Sequence, residues 1–167
     1  MVAAGQEPYT DERREADESN PKGYFESQDV KKIAHENNWI ENCQGKVVKI
    51  VAPLIPYLPQ GYDYRVILMN RDIGEIVESQ EKMLERLGRS GGDLSKERFE
   101  SIFKQQLRHC RMLFRLHGIP HIEINFQNMV ANPKPAIEQL DKFLGLNANI
   151  DQLTAVVDPK LYRQRKK

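Results

Sequence analysis

Arg71 and Ser79 are the two residues whose types and spacing best suit the binding of an anion. Arg71 follows a run of apolar residues, 66–69, and stands just before a predicted helix. The backbone N–H groups at a helix start attract anions, and a guanidinium can bind a phosphate through two hydrogen bonds. Ser79 lies two turns into that helix, so its hydroxyl can face the same phosphate. The alternative is that Arg71 pairs with Asp72 or Glu75 on the surface and that Ser79 is solvated.

The elements that would position this pair are a strand, a short turn and a helix. Residues 66–69 form a continuous apolar run, which is typical of a parallel strand covered on both faces. Asp72 and Glu75 have the spacing of a capping box, so we expect a helix that begins at Ile73 and stops at Gly88. The turn lies at the carboxyl end of the strand, where open α/β sheets bind ligands.

Three segments resemble segments of the sulfotransferase family. Residues 66–83, VILMNRDIGEIVESQEKM, are similar to the strand and helix that hold the 3′-phosphate of 3′-phosphoadenosine 5′-phosphosulfate (PAPS). Residues 122–146, IEINFQNMVANPKPAIEQLDKFLGL, and residues 20–26, NPKGYFE, resemble two further segments of bacterial sulfotransferase-like proteins. The resemblance implies that Arg71 and Ser79 bind the 3′-phosphate, that PAPS is the sulfuryl donor, and that the acceptor is a hydroxyl of a small molecule or macromolecule.

The same resemblance implies an α/β fold with a three-layer parallel sheet flanked by helices, of the P-loop NTPase and sulfotransferase-like type. We expect an exposed polar segment at 1–22, the sulfotransferase-like domain at 23–157 and a basic tail at 158–167. Residues 45–53, GKVVKIVAP, are predicted to be a buried parallel strand. The first strand and the glycine-rich loop that cradles the 5′-phosphosulfate are expected to be missing before residue 20. An unpaired strand edge would favour a homo-oligomer.

Lys49 and Glu26 are the candidate catalytic residues, again by resemblance. Lys49 lies where the family has a lysine close to the sulfuryl group, although Val51 stands where the family has its catalytic histidine. Related enzymes can place a glutamate near the position of Glu26, which makes Glu26 the candidate general base. The alternative for Lys49 is an amine that reaches solvent at the rim of the sheet.

The remaining elements are predicted from apolar periodicity and from Gly, Pro and Asn positions. We expect a short helix within 27–36, an irregular loop at 53–64, a long helix at 94–117 and a strand at 119–126. A further helix is expected to be capped by Asn132 and to end at Leu144. Residues 88–92, GRSGG, have the composition of a phosphate loop but follow a helix, so we expect a flexible connection there.

The composition narrows the class of protein. The chain has 167 residues, of which 40% are hydrophobic, and a net charge of +1. These values are typical of one globular domain and give no excess of basic residues for binding nucleic acid. The sequence has no apolar run of membrane-spanning length, and its two cysteines suggest reduced thiols in a cytoplasmic protein. No pair of histidine and acidic residues has the spacing of metal ligands, so no metal site is expected.

Two functions from different classes remain open. The first is a sulfotransferase-like enzyme that moves a sulfuryl group from PAPS to a hydroxyl acceptor, for which a phosphate loop would have to be supplied. The second is a catalytically silent, truncated sulfotransferase-like domain that acts as a binding or oligomerisation module.

Overall fold

A computed structural model describes residues 1–11, 16–17, 20–86, 88 and 95–162. The chain divides into two compact units, Met1–Asp63 and Tyr64–Lys167. The described residues are mostly helical and contain one parallel sheet of two strands. The prediction of an α/β protein is confirmed at this level.

The first unit is built from short helices and extended segments. Helix α1, Gln28–Lys32, lies within the predicted range 27–36, and the side chain of Ser27 caps it by accepting a hydrogen bond from the backbone of Asp29. The described residues of this unit also form three 3-10 helices, at Val2–Ala4, Asn38–Cys43 and Ala52–Tyr57. Its core consists of buried apolar side chains, namely Val30, Ile33, Trp39 and Ile40.

The strand predicted at 45–53 is wrong. Val47 makes an isolated parallel bridge to Pro8, and the described residues form no strand in this range. The bridge does not continue into a ladder, because the N–H of Asp11, which would have to reach the carbonyl of Lys49, donates to the carbonyl of Glu26 instead. The 3-10 helix Ala52–Tyr57 then ends the extended segment. The irregular loop predicted at 53–64 is therefore wrong in its first part. Lys49 therefore lies on an extended segment, with its side chain half exposed, and not on a buried strand.

The described residues of the second unit form both strands and five α-helices. The strands are β1, Val66–Asn70, and β2, His121–Asn125. The helices are α2, Ile73–Arg86; α3, Lys96–Leu116; α4, Phe126–Ala131; α5, Pro133–Leu144; and α6, Ile150–Val156. A short 3-10 helix, Pro159–Leu161, follows α6.

The two strands run parallel, with Val66 opposite His121 and Asn70 opposite Asn125. Both carboxyl ends therefore meet at one edge of the sheet. Ile124 on β2 is buried, whereas Met69, its neighbour on β1, is 48% exposed. Phe114 of α3 packs against His121, with ring centroids 5.0 Å apart, so α3 covers the face of β2 that carries His121.

Two predicted helix boundaries are confirmed, the start of α2 and the end of α5, whereas Asn132, which was predicted to cap α5, makes no capping hydrogen bond with its side chain. The side chain of Asp72 accepts a hydrogen bond from the backbone of Glu75 at 3.2 Å, which confirms the predicted start of α2. Ser95 caps α3 in the same way. Helix α5 ends before Gly145, which has a φ of 68° and donates its N–H to Asp141, as expected for a glycine C-cap. Helices α4 and α6 were not predicted.

Some predicted features lie outside the described residues. Residues 89–92 of the expected flexible connection and the basic residues of the expected tail at 163–167 belong to this group. Within the described ranges, no helix is long and apolar enough to cross a membrane. The same ranges contain no group of three His, Cys, Asp or Glu side chains that could hold a metal ion.

Candidate functional site

Arg71 lies directly after the last residue of β1 and two residues before the first residue of α2. Its Nε donates a hydrogen bond to Glu75 Oε2 at 3.2 Å, and its side chain is 22% exposed. Pairing with Glu75 was one of the two alternatives for Arg71. The partner is not on the surface, however, because the Glu75 side chain is only 1% exposed.

Glu75 is the centre of a buried polar network. In addition to the bond from Arg71, its carboxylate accepts hydrogen bonds from Gln127 Nε2 at 3.2 Å and from the Tyr162 hydroxyl at 2.6 and 2.7 Å. A buried carboxylate is costly unless its oxygens are paired with donors. These donors come from the turn after β1, from α4 and from the residue after the last 3-10 helix, so the network ties three separate segments together.

Two aromatic rings also contact the arginine. The Arg71 guanidinium carbon lies 5.0 Å from the Phe126 ring centroid and 5.4 Å from that of Tyr162. The two rings meet edge to face, with centroids 5.3 Å apart. Cation–π contacts and the bond to Glu75 together hold the guanidinium in one orientation. A cation fixed in this way loses little conformational entropy when it binds an anion.

Ser79 is half-buried on α2, one turn beyond Glu75. Arg71, Glu75 and Ser79 follow one another at intervals of four residues, which places Glu75 and Ser79 on one side of the helix. Glu75 is thus four residues from each of the two predicted phosphate ligands. An anion that contacts both Arg71 and Ser79 would approach this carboxylate, whose charge Arg71 offsets.

Lys49 and Glu26, the two candidate catalytic residues, lie next to each other in the first unit. Lys49 Nζ is 2.9 Å from Glu26 Oε1 and 3.3 Å from the backbone oxygen of Tyr24. The Lys49 and Glu26 side chains are 50% and 31% exposed. An exposed ion pair contributes only about 0 to 1 kcal/mol, so the lysine can exchange this carboxylate for another anion at little cost.

A second polar cluster lies on β1 and β2. Arg111 of α3 donates two hydrogen bonds to Glu123, through Nε and Nη2 at 2.7 Å each, and Asn70 Nδ2 donates a third. The Arg111 guanidinium lowers the pKa of Glu123 to about 2. Asn70 Oδ1 is buried and has no hydrogen-bond partner among the described residues. This cluster fixes α3 on β2, and it is separate from the Glu75 network.

Sequence reasoning identified Arg71 and Ser79 but missed most of the side chains that hold Arg71. Glu75 was interpreted as a helix cap or as a surface partner of Arg71, and Phe126, Gln127 and Tyr162 were given no role. Phe126 follows Asn125, whose side chain caps α4 by accepting from the backbone of Asn128 at 2.9 Å. That asparagine was a usable signal for α4, and hence for the placement of Phe126 and Gln127.

Comparison of the sequence with protein-family models and with curated proteins, and of the structure with solved structures, gives no match. The similarity to sulfotransferases therefore stays a prediction that depends on the residues of the three segments at 20–26, 66–83 and 122–146.

Proposed function

We propose that this chain is a sulfotransferase-like protein whose second unit binds the 3′-phosphate of PAPS, or of its product adenosine 3′,5′-bisphosphate, through Arg71 and Ser79. One observation carries the proposal. The guanidinium of Arg71 is fixed at the carboxyl end of β1, beside the start of α2, by Glu75 and by two aromatic rings.

The electrostatics of this position favour an anion. The backbone N–H groups of the first turn of α2 and the helix dipole provide partial positive charge, and Arg71 offsets the negative charge of the buried Glu75 carboxylate. Glu75 accepts the Nε–H of this guanidinium, which fixes the direction of the arginine side chain. Ser79 adds a neutral hydroxyl on the same helix. We also propose that the chain has the three-layer fold of the P-loop type, which the resemblance to sulfotransferases implies.

The chemical part of the proposal assigns roles to Lys49 and Glu26. In sulfuryl transfer an acceptor oxygen bonds to sulfur while the bond between sulfur and the phosphate oxygen of the donor breaks. The resemblance implies that Glu26 takes the acceptor proton and that Lys49 neutralises negative charge that develops during the transfer. The exposed Lys49–Glu26 pair has to separate for both roles, which the low stability of such a pair allows.

A catalytically silent binding or oligomerisation module is the second candidate. The observation that favours it is the sheet, which has two strands in the described part of the chain and leaves Met69 on β1 48% exposed. An open strand edge with an apolar neighbour favours association with a second copy. Light scattering after size exclusion would test this candidate, since a monomer at all concentrations would exclude oligomerisation through this edge.

The phosphate site is tested by titrating the chain with adenosine 3′,5′-bisphosphate and, separately, with adenosine 5′-monophosphate. A ligand at about 100 times its dissociation constant adds about 2.7 kcal/mol to the free energy of unfolding. We expect the bisphosphate to raise the melting temperature more than the monophosphate does. Arg71→Ala should remove this difference, with each variant compared to its own ligand-free form.

Arg65→Ala is the matched control. Arg65 directly precedes β1, and Arg71 directly follows it. The Arg65 side chain donates hydrogen bonds to the backbone oxygens of Phe143 and Leu144. Its removal should leave the response to the bisphosphate unchanged. Equal responses to the two nucleotides, or a full bisphosphate response in Arg71→Ala, would contradict the phosphate site and leave the silent module as the better interpretation.

A further inference from the structure

We propose that Tyr162 is a positioning residue of the phosphate site, because its hydroxyl holds the carboxylate of Glu75 and its ring packs on the guanidinium of Arg71. The segment that ends in Tyr162 would thereby set the orientation of an arginine at the far end of β1. The inference rests on the proposed binding of a 3′-phosphate by Arg71.

The distances show that the Tyr162 hydroxyl lies close to both carboxylate oxygens of Glu75. The Tyr162 hydroxyl lies 2.6 and 2.7 Å from the two carboxylate oxygens, whereas Arg71 Nε lies 3.2 Å from one of them. Short O–H···O⁻ bonds are the stronger kind of charge-assisted hydrogen bond. The Tyr162 hydroxyl therefore restricts the orientation of the carboxylate that pairs with Arg71.

The backbone before Tyr162 is itself well fixed. Asp158 Oδ1 accepts a hydrogen bond from the backbone of Lys160 at 2.9 Å, and the Asp158 carbonyl accepts one from Leu161. The Tyr162 N–H donates to the carbonyl of Pro159 at 3.2 Å. Because Pro159 also restricts its own φ, the 3-10 helix presents Tyr162 in a defined direction.

The two contacts of Tyr162 can be separated by substitution. Tyr162→Phe removes the hydroxyl that binds Glu75 but keeps a ring that can pack on Arg71 and meet Phe126 edge to face. A change in binding caused by this variant therefore reports on the bond to Glu75. Gln127→Met removes the weaker 3.2 Å donor from the same carboxylate and gives a second, independent variant.

Tyr9 in the first unit provides a matched control. Its hydroxyl donates to Asp29 at 2.8 Å, and its ring stacks on Trp39 with centroids 5.4 Å apart. Tyr9→Phe thus removes the same kind of bond from the same kind of aromatic contact. Asp29 has no place in the proposed phosphate site, so this variant measures the general cost of losing such a bond.

The experiment is calorimetric titration of the full chain and its variants with adenosine 3′,5′-bisphosphate and with adenosine 5′-monophosphate. We expect Tyr162→Phe to weaken binding of the bisphosphate about three- to tenfold, as for one lost hydrogen bond. Its affinity for the monophosphate should stay within about twofold, because that ligand lacks the 3′-phosphate. Gln127→Met should have a smaller effect in the same direction, and Tyr9→Phe should change neither affinity.

The outcomes separate this inference from the function on which it rests. If the unmodified chain prefers the bisphosphate but Tyr162→Phe keeps the full preference, the positioning role is overturned and the Arg71 site stands. An equal loss of affinity for both nucleotides in Tyr162→Phe would also overturn it, since a purely structural role predicts that result. If the unmodified chain shows no preference for the bisphosphate, the phosphate site and the positioning role are both overturned.

Discussion

Each unit of this protein contains a tyrosine that packs on an aromatic ring and donates its hydroxyl to a carboxylate. In the first unit Tyr9 stacks on Trp39 and binds Asp29 at 2.8 Å. In the second unit Tyr162 meets Phe126 edge to face and binds Glu75 at 2.6 and 2.7 Å. The two arrangements use the same chemical groups but differ in the burial and in the partners of the carboxylate.

The difference indicates two kinds of role. Asp29 lies in the first turn of α1, and its bond to Tyr9 holds the N-terminal segment against that helix. Glu75 is almost fully buried and also binds Arg71, the cation next to the start of α2. Replacing a buried ion pair with apolar residues is often neutral or stabilising, so such a pair is weak evidence for a role in stability alone. The Glu75 network is better explained as a support for Arg71.

The largest expected effect that separates the two arrangements is on stability. Glu75→Ala should lower the free energy of unfolding of the second unit by about 3 kcal/mol, because it leaves a largely buried arginine without its carboxylate. Asp29→Ala should cost the first unit about 1 kcal/mol, since it removes one hydrogen-bond acceptor that water can partly replace.

Urea unfolding followed by two signals measures both effects. Trp39 is the single tryptophan of the chain and is buried in the first unit, so its fluorescence follows that unit. Far-ultraviolet circular dichroism follows mainly the second unit, which contains the long helices α2, α3 and α5. Equal costs for the two alanine variants would show that the Glu75 network is no more than a second local contact.

The sequence predicts the local parts of the Arg71 site well. The strand at 66–69, the cap at Asp72 and the helix start at Ile73 depend on residues that are close in sequence, and all three agree with the structure. These features place Arg71 at the end of β1 without any knowledge of the rest of the chain. The phosphate-binding roles of Arg71 and Ser79 stay predictions.

The support of Arg71 could not be predicted in this way. Tyr162 lies 87 positions from Glu75, and Gln127 lies 52 positions from it, so no periodicity or capping rule connects them. The wrong strand at 45–53 has a related cause. An apolar run indicates strand propensity, but a strand also requires a neighbour, and the described part of the first unit provides only the Pro8 bridge to Val47.

A smaller difference between the two units is expected in how their stability depends on acidic pH. Arg111 holds the pKa of Glu123 at about 2, below its ordinary value of 4.5, so the ionised carboxylate stabilises the folded second unit above pH 4.5. This stability is lost as the pH falls from 4.5 towards 2. Because the Arg111 and Glu123 side chains are 32% and 33% exposed, solvent screening limits the loss to about 1 kcal/mol.

Glu123→Gln tests the acid prediction, because this variant should make the circular dichroism midpoint in urea less dependent on pH over the same interval. Glu26→Gln, which alters the exposed pair with Lys49 in the first unit, is the matched control and should leave this dependence unchanged. If the acid response of Glu123→Gln equalled that of the unmodified chain, the Arg111 pair would have no special part in acid stability.

The smallest expected effect concerns the proton of Tyr9. The pKa of Tyr9 is raised from 10.0 to about 12, mainly by burial and next by the hydrogen bond to Asp29. The protonated phenol therefore stabilises the first unit fully below pH 10.0, and this stability is lost as the pH rises through about 12. Asp29→Asn should lower the pKa of Tyr9 but leave it above 10.0, because the burial remains. Rapid pH-jump absorbance of tyrosinate, with Tyr9→Phe subtracted, measures this pKa, and a fall to 10.0 would make Asp29 its main cause.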